Sequence, residues 1–371
     1  MTSFSPLFRF LSWIISILFQ TFKSFLIFNG LLPPPHFPLL RVPYVPLRRI
    51  LNFMDPDALV SLSFCSQKSH SVIKTQRRAP FDGRLCVSEY PRNVSFRTFQ
   101  NHTCVLSVCN SSFITSKERE EMEYVRMNWM YRRVPVHNSN GNLVWYWYDT
   151  KEGLETITDY VTDLFNIDVS EVCVLRDAIK MIKWVNWRQT TRLKKVVYRA
   201  WDVILSQEMI YLLKKCTTLS EISIHSEAPP NFRISKKFRR IDYLDIWYGP
   251  WVTINNLLTM DGIVIHLEKS SLTNTDLNVF LRHWLSGGCP RLKLFSATTD
   301  SVDILQVLDG LLHNAVFVED LRDYNCPYGN RWILWDGYDI RRADGVTATV
   351  HYQPLSTLVI AVWPETTHNY N

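Results

Sequence analysis

The residues able to do chemistry are spread thinly along this 371-residue chain. Eight cysteines (Cys65, Cys86, Cys104, Cys109, Cys173, Cys216, Cys289, Cys326) stand alone. None forms a CxxC pair, and none lies at zinc spacing from a histidine, so no metal site and no cofactor is expected. Scattered thiols in a long chain suit a reducing compartment and ordinary burial, cytoplasmic or nuclear. The ten histidines are also isolated. His225, His266 and His283 sit in or beside expected strands and helices, where a satisfied structural imidazole is the ordinary outcome. No G-x-S-x-G, P-loop, G-x-G-x-x-G or H-E-x-x-H occurs. Twelve glycines leave little material for phosphate-cradling loops. Glu120 and Glu121 read as a solvated face. No residue is therefore assigned a catalytic role, and the chain is read as a non-enzyme. Two basic clusters remain, Arg188–Arg199 and Arg233–Arg240. They are either solvated loop charge or a patch for an acidic or phosphorylated target. A net charge of +6 without a recognition motif does not argue for nucleic acid.

With no chemistry of its own in view, the chain is organised around residues 37–78. Leu47, Ile50, Leu51 and Met54 recur at helical spacing after Pro46, giving one apolar stripe. Asp55 followed by Pro56 opens a second helix, with Leu59 and Leu62 facing inward. Ser66 caps a third, carrying Val72 and Ile73, with Lys74, Arg77 and Arg78 near its negative end. Helices shorter than about 12–15 residues are marginal alone. A bundle of about 40 residues without staples needs another surface to close its core. Cys65 lies within this bundle and is expected to be buried.

These residues resemble an F-box. Val42-Pro43 stands where that motif carries Leu-Pro; Ile50-Leu51 and Asp55-Pro56-Asp57 follow at its spacing, and Leu59, Leu62, Cys65 and the basic third helix complete the likeness. The resemblance implies docking onto the Skp-type adaptor of a cullin complex. Leu39, Pro43, Leu47, Ile50, Leu51, Leu59, Leu62 and Val72 would then supply the motif's core and adaptor-facing surface. It also implies a substrate-recruiting, non-catalytic ubiquitin-ligase subunit whose target is unknown.

The flanks differ in texture. Residues 1–36 form an apolar extension ending at Pro33-Pro34-Pro35. Within 7–32 the longest uncharged run, Phe10–Phe22, has thirteen residues, short of the roughly 18–20 of a membrane helix. A membrane-attached interaction module anchored through 7–32 is the alternative reading. Three sequons, at Asn93, Asn101 and Asn110, would matter only in a secreted chain.

Residues 81–150 read as a mixed connecting region. Short strands fill Phe81–Asn110, a charged helix with Met122, Val125 and Trp129 spans Thr115–Tyr131, and Asn140-Gly141 turns into a strand at Leu143–Tyr148. From 151 to 371 helices and strands alternate. Strands are expected at 172–175, 194–198, 221–225, 243–247, 263–267, 292–295 and 358–363. Helices are expected at 152–165, 206–214, 273–285 and 301–312. Strand starts roughly 20–30 residues apart argue for stacked βα units with a largely parallel sheet. Cys216–Leu219 and Cys289–Leu292 repeat one helix-to-strand joint.

That joint is similar to leucine-rich repeats; a closed or doubly wound α/β domain is the competing architecture. Leu272–Trp284, Gly287–Leu292, Trp251–Leu258 and Asp339–Val350 also resemble the type-2 F-box-associated domain of nematode proteins. In physical terms Thr273 is an N-cap, Leu277, Phe280, Leu281 and Trp284 form one helix face, and Gly287 or Gly288 ends it. The expected fold is therefore α+β and multidomain, a three-helix F-box (37–80) followed by an α/β leucine-rich-repeat-like domain.

Overall fold

A computed structural model describes residues 39–77, 81–98, 101–126, 133–139, 142–234, 238–329, 331–353 and 356–364. The apolar extension 1–36 and the Asn140-Gly141 turn lie outside them. The chain divides into two compact units, ending and beginning at Phe53 and Met54.

In the first unit, α1 (Tyr44–Phe53) begins where Pro43 accepts from the Leu47 amide at 3.0 Å. Pro46 sits in its first turn, where a missing N–H removes no helical bond. Leu47 and Leu51 are buried, while Tyr44, Val45 and Phe53 are exposed.

The second unit opens with α2 (Pro56–Phe64) and α3 (Gln67–Gln76). Asp55 takes the N-cap conformation, but its carboxylate makes no capping bond; proline at the first helical position suffices to start the helix. Ser66 does cap α3, accepting from the Ser69 amide at 3.0 Å. Then come β1 (Arg84–Glu89), β2 (Arg92–Arg97) and β3 (His102–Asn110).

The charged helix expected over 115–131 reaches only from Ser116 to Glu120 (α4), with Thr115 and Glu118 forming a capping box. Glu123–Arg126 is instead a strand, β4, paired antiparallel with β5 (Arg133–Ser139). The alternation in Glu-Tyr-Val-Arg satisfies a sheet edge, and pairing overrides weak helical spacing. Trp129 lies outside the described residues. Strand β6 (Asn142–Trp147) pairs with β5 so that Ser139 opposes Asn142, the register a two-residue turn requires.

Helix α5 (Thr150–Phe165) is capped by Asp149 and ends on Asn166 in the left-handed region. It leads into β7 (Glu171–Val174), α6 (Ala178–Arg188), β8 (Lys195–Tyr198), α7 (Ser206–Ile210, continuing as a π turn to Lys215) and β9 (Glu221–Ile224). Next are β10 (Tyr243–Ile246), α8 (Ile254–Leu257), β11 (Val264–Leu267), α9 (Asn274–Leu285) and β12 (Leu294–Thr298). Helix α6 has no counterpart in the expected elements, because Lys180, Lys183 and Asn186 interrupt its apolar spacing. The helix expected over 301–312 shrinks to α10 (Ile304–Val307) before a turn at Gly310 (φ +64°). The chain closes with β13 (Ala315–Val318), the hairpin β14 (Arg322–Asn325) and β15 (Arg331–Leu334), and β16 (Gly337–Arg341), β17 (Thr347–Gln353) and β18 (Thr357–Val362).

Among the described residues one open sheet runs β13-β16-β17-β18-β12-β11-β10-β9-β8-β7-β1-β2-β3-β6-β5-β4. Strands β1, β7, β8, β9, β10, β11 and β12 are mutually parallel. From β7 to β12 their order never reverses, which excludes a doubly wound sheet. Successive crossovers in one direction, each following the right-handed rule for parallel strands, place the helices on one face. Phe295 and Phe280 meet there at 4.6 Å, and Phe96 meets Phe165 at 6.1 Å. The Cys216 and Cys289 joints share their burial: both cysteines are buried, as are Leu219 and Leu292, although Cys289 takes a positive φ and Cys216 does not.

Among the described residues the opposite face has no helix. The β14–β15 hairpin covers part of it, with Tyr324, Cys326 and Leu334 packed on Val264, Leu294, Val359 and Ala361. Trp332 stacks on His266 at 5.7 Å, and the His266 Nδ1 lies 2.6 Å from the Ser296 hydroxyl.

Two outcomes test this packing. A Cβ on Gly153 would fall 2.7 Å from the Trp147 ring and 2.8 Å from Val108. Gly→Ala inside a helix ordinarily gains about 0.5–1 kcal/mol, but overpacking costs about 1–3 kcal/mol. Gly153→Ala should therefore lower the urea midpoint. Burial, only partly offset by Asp245, holds His266 below the ordinary imidazole value of 6.5. The folded state thus binds fewer protons, and its stability is full above about pH 6.5 and falls as the pH drops below it, by at most about 1.4 kcal/mol per unit for this group. His266→Asn should make the urea midpoint less sensitive to acidification.

Candidate functional site

The eight residues expected to serve the F-box fall into two groups. Leu47, Leu51 and Leu59 are buried, as are Val60 and Ile73. Leu39, Ile50, Leu62 and Val72 are half-buried and Pro43 is exposed. Cys65 is exposed rather than buried: it closes α2, and its thiol sits 3.7 Å from the Ser61 carbonyl oxygen.

Helices α2 and α3 rest on the elements that follow them. Phe64 stacks on Tyr160 of α5 at 4.7 Å and meets Trp145 of β6 at 5.1 Å. The Tyr160 hydroxyl hydrogen-bonds Ser63, and its ring lies 5.5 Å from that of His70. Lys74 reaches Asp163 at 2.5 Å, and Arg77 caps the arrangement by donating to the Met54 carbonyl at 3.3 Å while lying over Phe81. Burial pushes the Tyr160 phenol well above its usual range, so it is a neutral structural hydroxyl.

A second constellation lies on the helix-free face, where the hairpin stops. Register places Cys86, Glu171, Lys195, Glu221 and Tyr243 in one row across five strands. Arg97 donates to Glu171 at 2.5 Å and Arg84 to Glu221 at 2.5 Å; Lys195 stands 4.0 Å from Glu171. The two carboxylates are nearly sealed, 4% and 7% exposed. A buried carboxylate is tolerated only when paired, and each has its guanidinium. The bond to Glu221 in turn raises the Arg84 pKa. Above this row is a hollow of about 300 Å³, bounded by Gly83, Thr98 and Tyr328. Burial, then Asp242 and Glu221, pushes the Tyr328 phenol up to about 12.

Burial raises the pKa of both Cys86 and Cys173 beside these charges, which disfavours their thiolate forms. One row further along, Arg199 donates through Nε to the Nδ1 of His225 at 3.3 Å. The other ring nitrogen of His225 faces Asp245 at 3.3 Å, and the ring stacks on Trp247 at 4.0 Å. The roles of the two nitrogens follow from this network. The arrangement offers paired charge and hydrogen-bond donors for recognition. Among the described residues no group of three or more His, Cys, Asp and Glu is placed to hold a metal ion.

Several charges of the basic clusters are engaged within the fold. Arg188 packs on Trp184 and bonds Asp159 and Thr162. Arg239 donates to the carbonyls of Leu212 and Leu219, and residues 235–237 lie outside the described residues. Among the described residues of these clusters, Lys195 and Arg199 line the hollows of the helix-free face. The ladder of Arg84, Arg97, Glu171 and Glu221 escaped the sequence reading because its charges come from strands far apart in the chain and only register brings them together. The available signal was a charge at the first position of three successive strands, in Glu-Val-Cys-Val, Lys-Val-Val-Tyr and Glu-Ile-Ser-Ile.

No helix among the described residues is long and apolar enough to cross a membrane. Comparison with known proteins matches residues 39–80 to the F-box domain, over α1 to α3, and residues 234–297 to the F-box associated family, over β10 to β12. The Skn-1 dependent zygotic transcript 15 protein of Caenorhabditis elegans is 25% identical over 337 residues, covering 85% of this chain and 94% of the relative. The F-box associated domain-containing protein sdz-33 of the same organism is 25% identical over 327 residues, covering 86% and 95%. No solved structure gives a significant match. With both domains present in that order and full-length relatives in a nematode, the chain is a nematode F-box protein with a type-2 F-box associated domain.

Proposed function

We propose that the chain is a non-catalytic, substrate-recruiting subunit of a Skp-cullin-F-box ubiquitin ligase. Residues 37–80 hold the adaptor, residues 81–150 connect, and residues 151–371 form a leucine-rich-repeat-like domain that holds the target. The observation that carries this reading is the F-box match over 39–80. The unreversed parallel order from β7 to β12, with helices on one face, supports the repeat-like description.

The difference in burial among the eight motif residues supports a division of labour. Leu47, Leu51 and Leu59 serve internal packing. Leu39, Pro43, Ile50, Leu62 and Val72, which keep accessible surface, are offered to the adaptor. Phe53 is 88% exposed and Val45 56%, and both join that offer. An anchoring role for residues 7–32 rests on the sequence alone.

Apolar side chains of this kind act as anchors worth about 2 kcal/mol or more each when they sit at the centre of an interface. Phe53→Asp combined with Ile50→Asp should lower co-purification of a Skp-type adaptor at least tenfold, while the urea midpoint of the chain changes little. Undiminished capture by the folded double variant would remove the adaptor assignment. Because Phe53 is so exposed, Phe53→Asp alone should leave stability within about 0.5 kcal/mol. It separates lost binding from lost folding if the double variant is unstable.

A further inference from the structure

Arg97 divides two hollows on the helix-free face. The second, of about 420 Å³, is lined in part by Ser88, Asn93, Arg97, His102, Cys173 and Arg199. Its chemistry differs from that of the first. Glu171 and Glu221 line the first; no carboxylate lines the second among the described residues, while two guanidinium groups do.

Three observations point to a ligand with an anionic group. Arg199 is exposed and, among the described residues, its guanidinium bonds only through Nε, toward His225, which leaves its two terminal nitrogens to the hollow. Arg97 uses one terminal nitrogen on Glu171 out of the five N–H donors that a guanidinium carries. Asn93 is 3% exposed, yet among the described residues its side-chain oxygen meets no partner. Buried polar atoms are rarely left so, and an amide can be read either way round, presenting oxygen or NH₂. His102, opposite Arg97 in the β2–β3 register, adds to the same wall. Burial and then Arg97 lower its pKa, and an incoming anion would favour its protonation.

The hollow is larger than one small anion needs and shares Arg97 and Thr98 with its neighbour. Beyond Arg199 the stacked His225–Trp247 pair continues the face, with Trp247 41% exposed. We propose that the helix-free face binds an extended acidic peptide, one Asp or Glu side chain of which enters this hollow and is held by Arg97 and Arg199. The inference rests on reading the C-terminal domain as the target-holding part. It adds the class of ligand and the pocket that takes it. Arginine suits the task because it can meet a carboxylate with two parallel bonds.

The full chain is panned against a display library of short random peptides beside its Arg199→Gln and Arg199→Glu variants. Arg199 is exposed, so both variants should keep the wild-type melting midpoint. Enrichment of Asp and Glu by the wild-type chain is expected, with loss in Arg199→Gln and a shift toward Lys and Arg in Arg199→Glu. The best acidic peptide, made synthetically, should bind Arg199→Gln about tenfold or more weakly. Identical enrichment by all three proteins, or none for acidic residues, would overturn the assignment. So would binding confined to a version in which phosphoserine replaces the acidic residue. Adaptor capture by the same preparation is scored separately: capture without acidic enrichment removes the pocket alone, and acidic enrichment without capture removes the ligase reading alone.

Discussion

The parallel pairing of β1 with β7 is the constraint on which the second unit depends. It brings Cys86 opposite Glu171 and Ser88 opposite Cys173, so that an antiparallel meander continues directly into a parallel run. The chain between the two strands returns through α5, which packs on the meander and carries Tyr160. That one register also lets Arg97 and Arg84, partners across β1 and β2, reach carboxylates on β7 and β9. A slip of one residue would turn both glutamates toward the apolar helix side. Their desolvation would then be uncompensated, at a cost of about 3–5 kcal/mol for a single broken pair. The charged row therefore specifies the register as much as it decorates the face.

The junction at Tyr160 has a related effect. Two helices within the F-box match are not tethered by a free linker to the sheet that follows. Phe64, Ser63 and His70 all meet that one side chain, and Lys74 meets Asp163 a turn away. Aromatic contacts of this kind add about 0.5–1.5 kcal/mol each beyond their area. The helix-free face is consequently held in fixed orientation to α2 and α3.

What the sequence revealed follows how local each signal was. Helix α9 was legible in full: Thr273 caps it, Leu277, Phe280, Leu281 and Trp284 are its buried face, and Gly287 ends it at φ +95°. The strands from 171 to 298 were legible because short β-branched runs alternate with turns. Helix α6 was hidden because its stripe is interrupted by lysine and asparagine, and its burial comes from packing on β7. Strand β4 was hidden because only its partner β5 decides between helix and sheet. The F-box residues were readable as a set, but their division between core and surface was not, since helical spacing places Leu47 and Ile50 on the same stripe. The charged ladder was least legible: its members come from four strands spanning residues 84 to 221, and only register unites them.

A sheet whose parallel strands march in one direction has an evolutionary property that a doubly wound sheet lacks. Each unit touches chiefly the units before and after it, so a whole strand–helix turn can be duplicated or deleted without unpicking the remainder. Every such event widens or narrows the exposed floor by one interstrand spacing, about 4.8 Å. A gene family built on this plan can thereby change the breadth of that face in discrete steps, while the helices at its amino end stay the same.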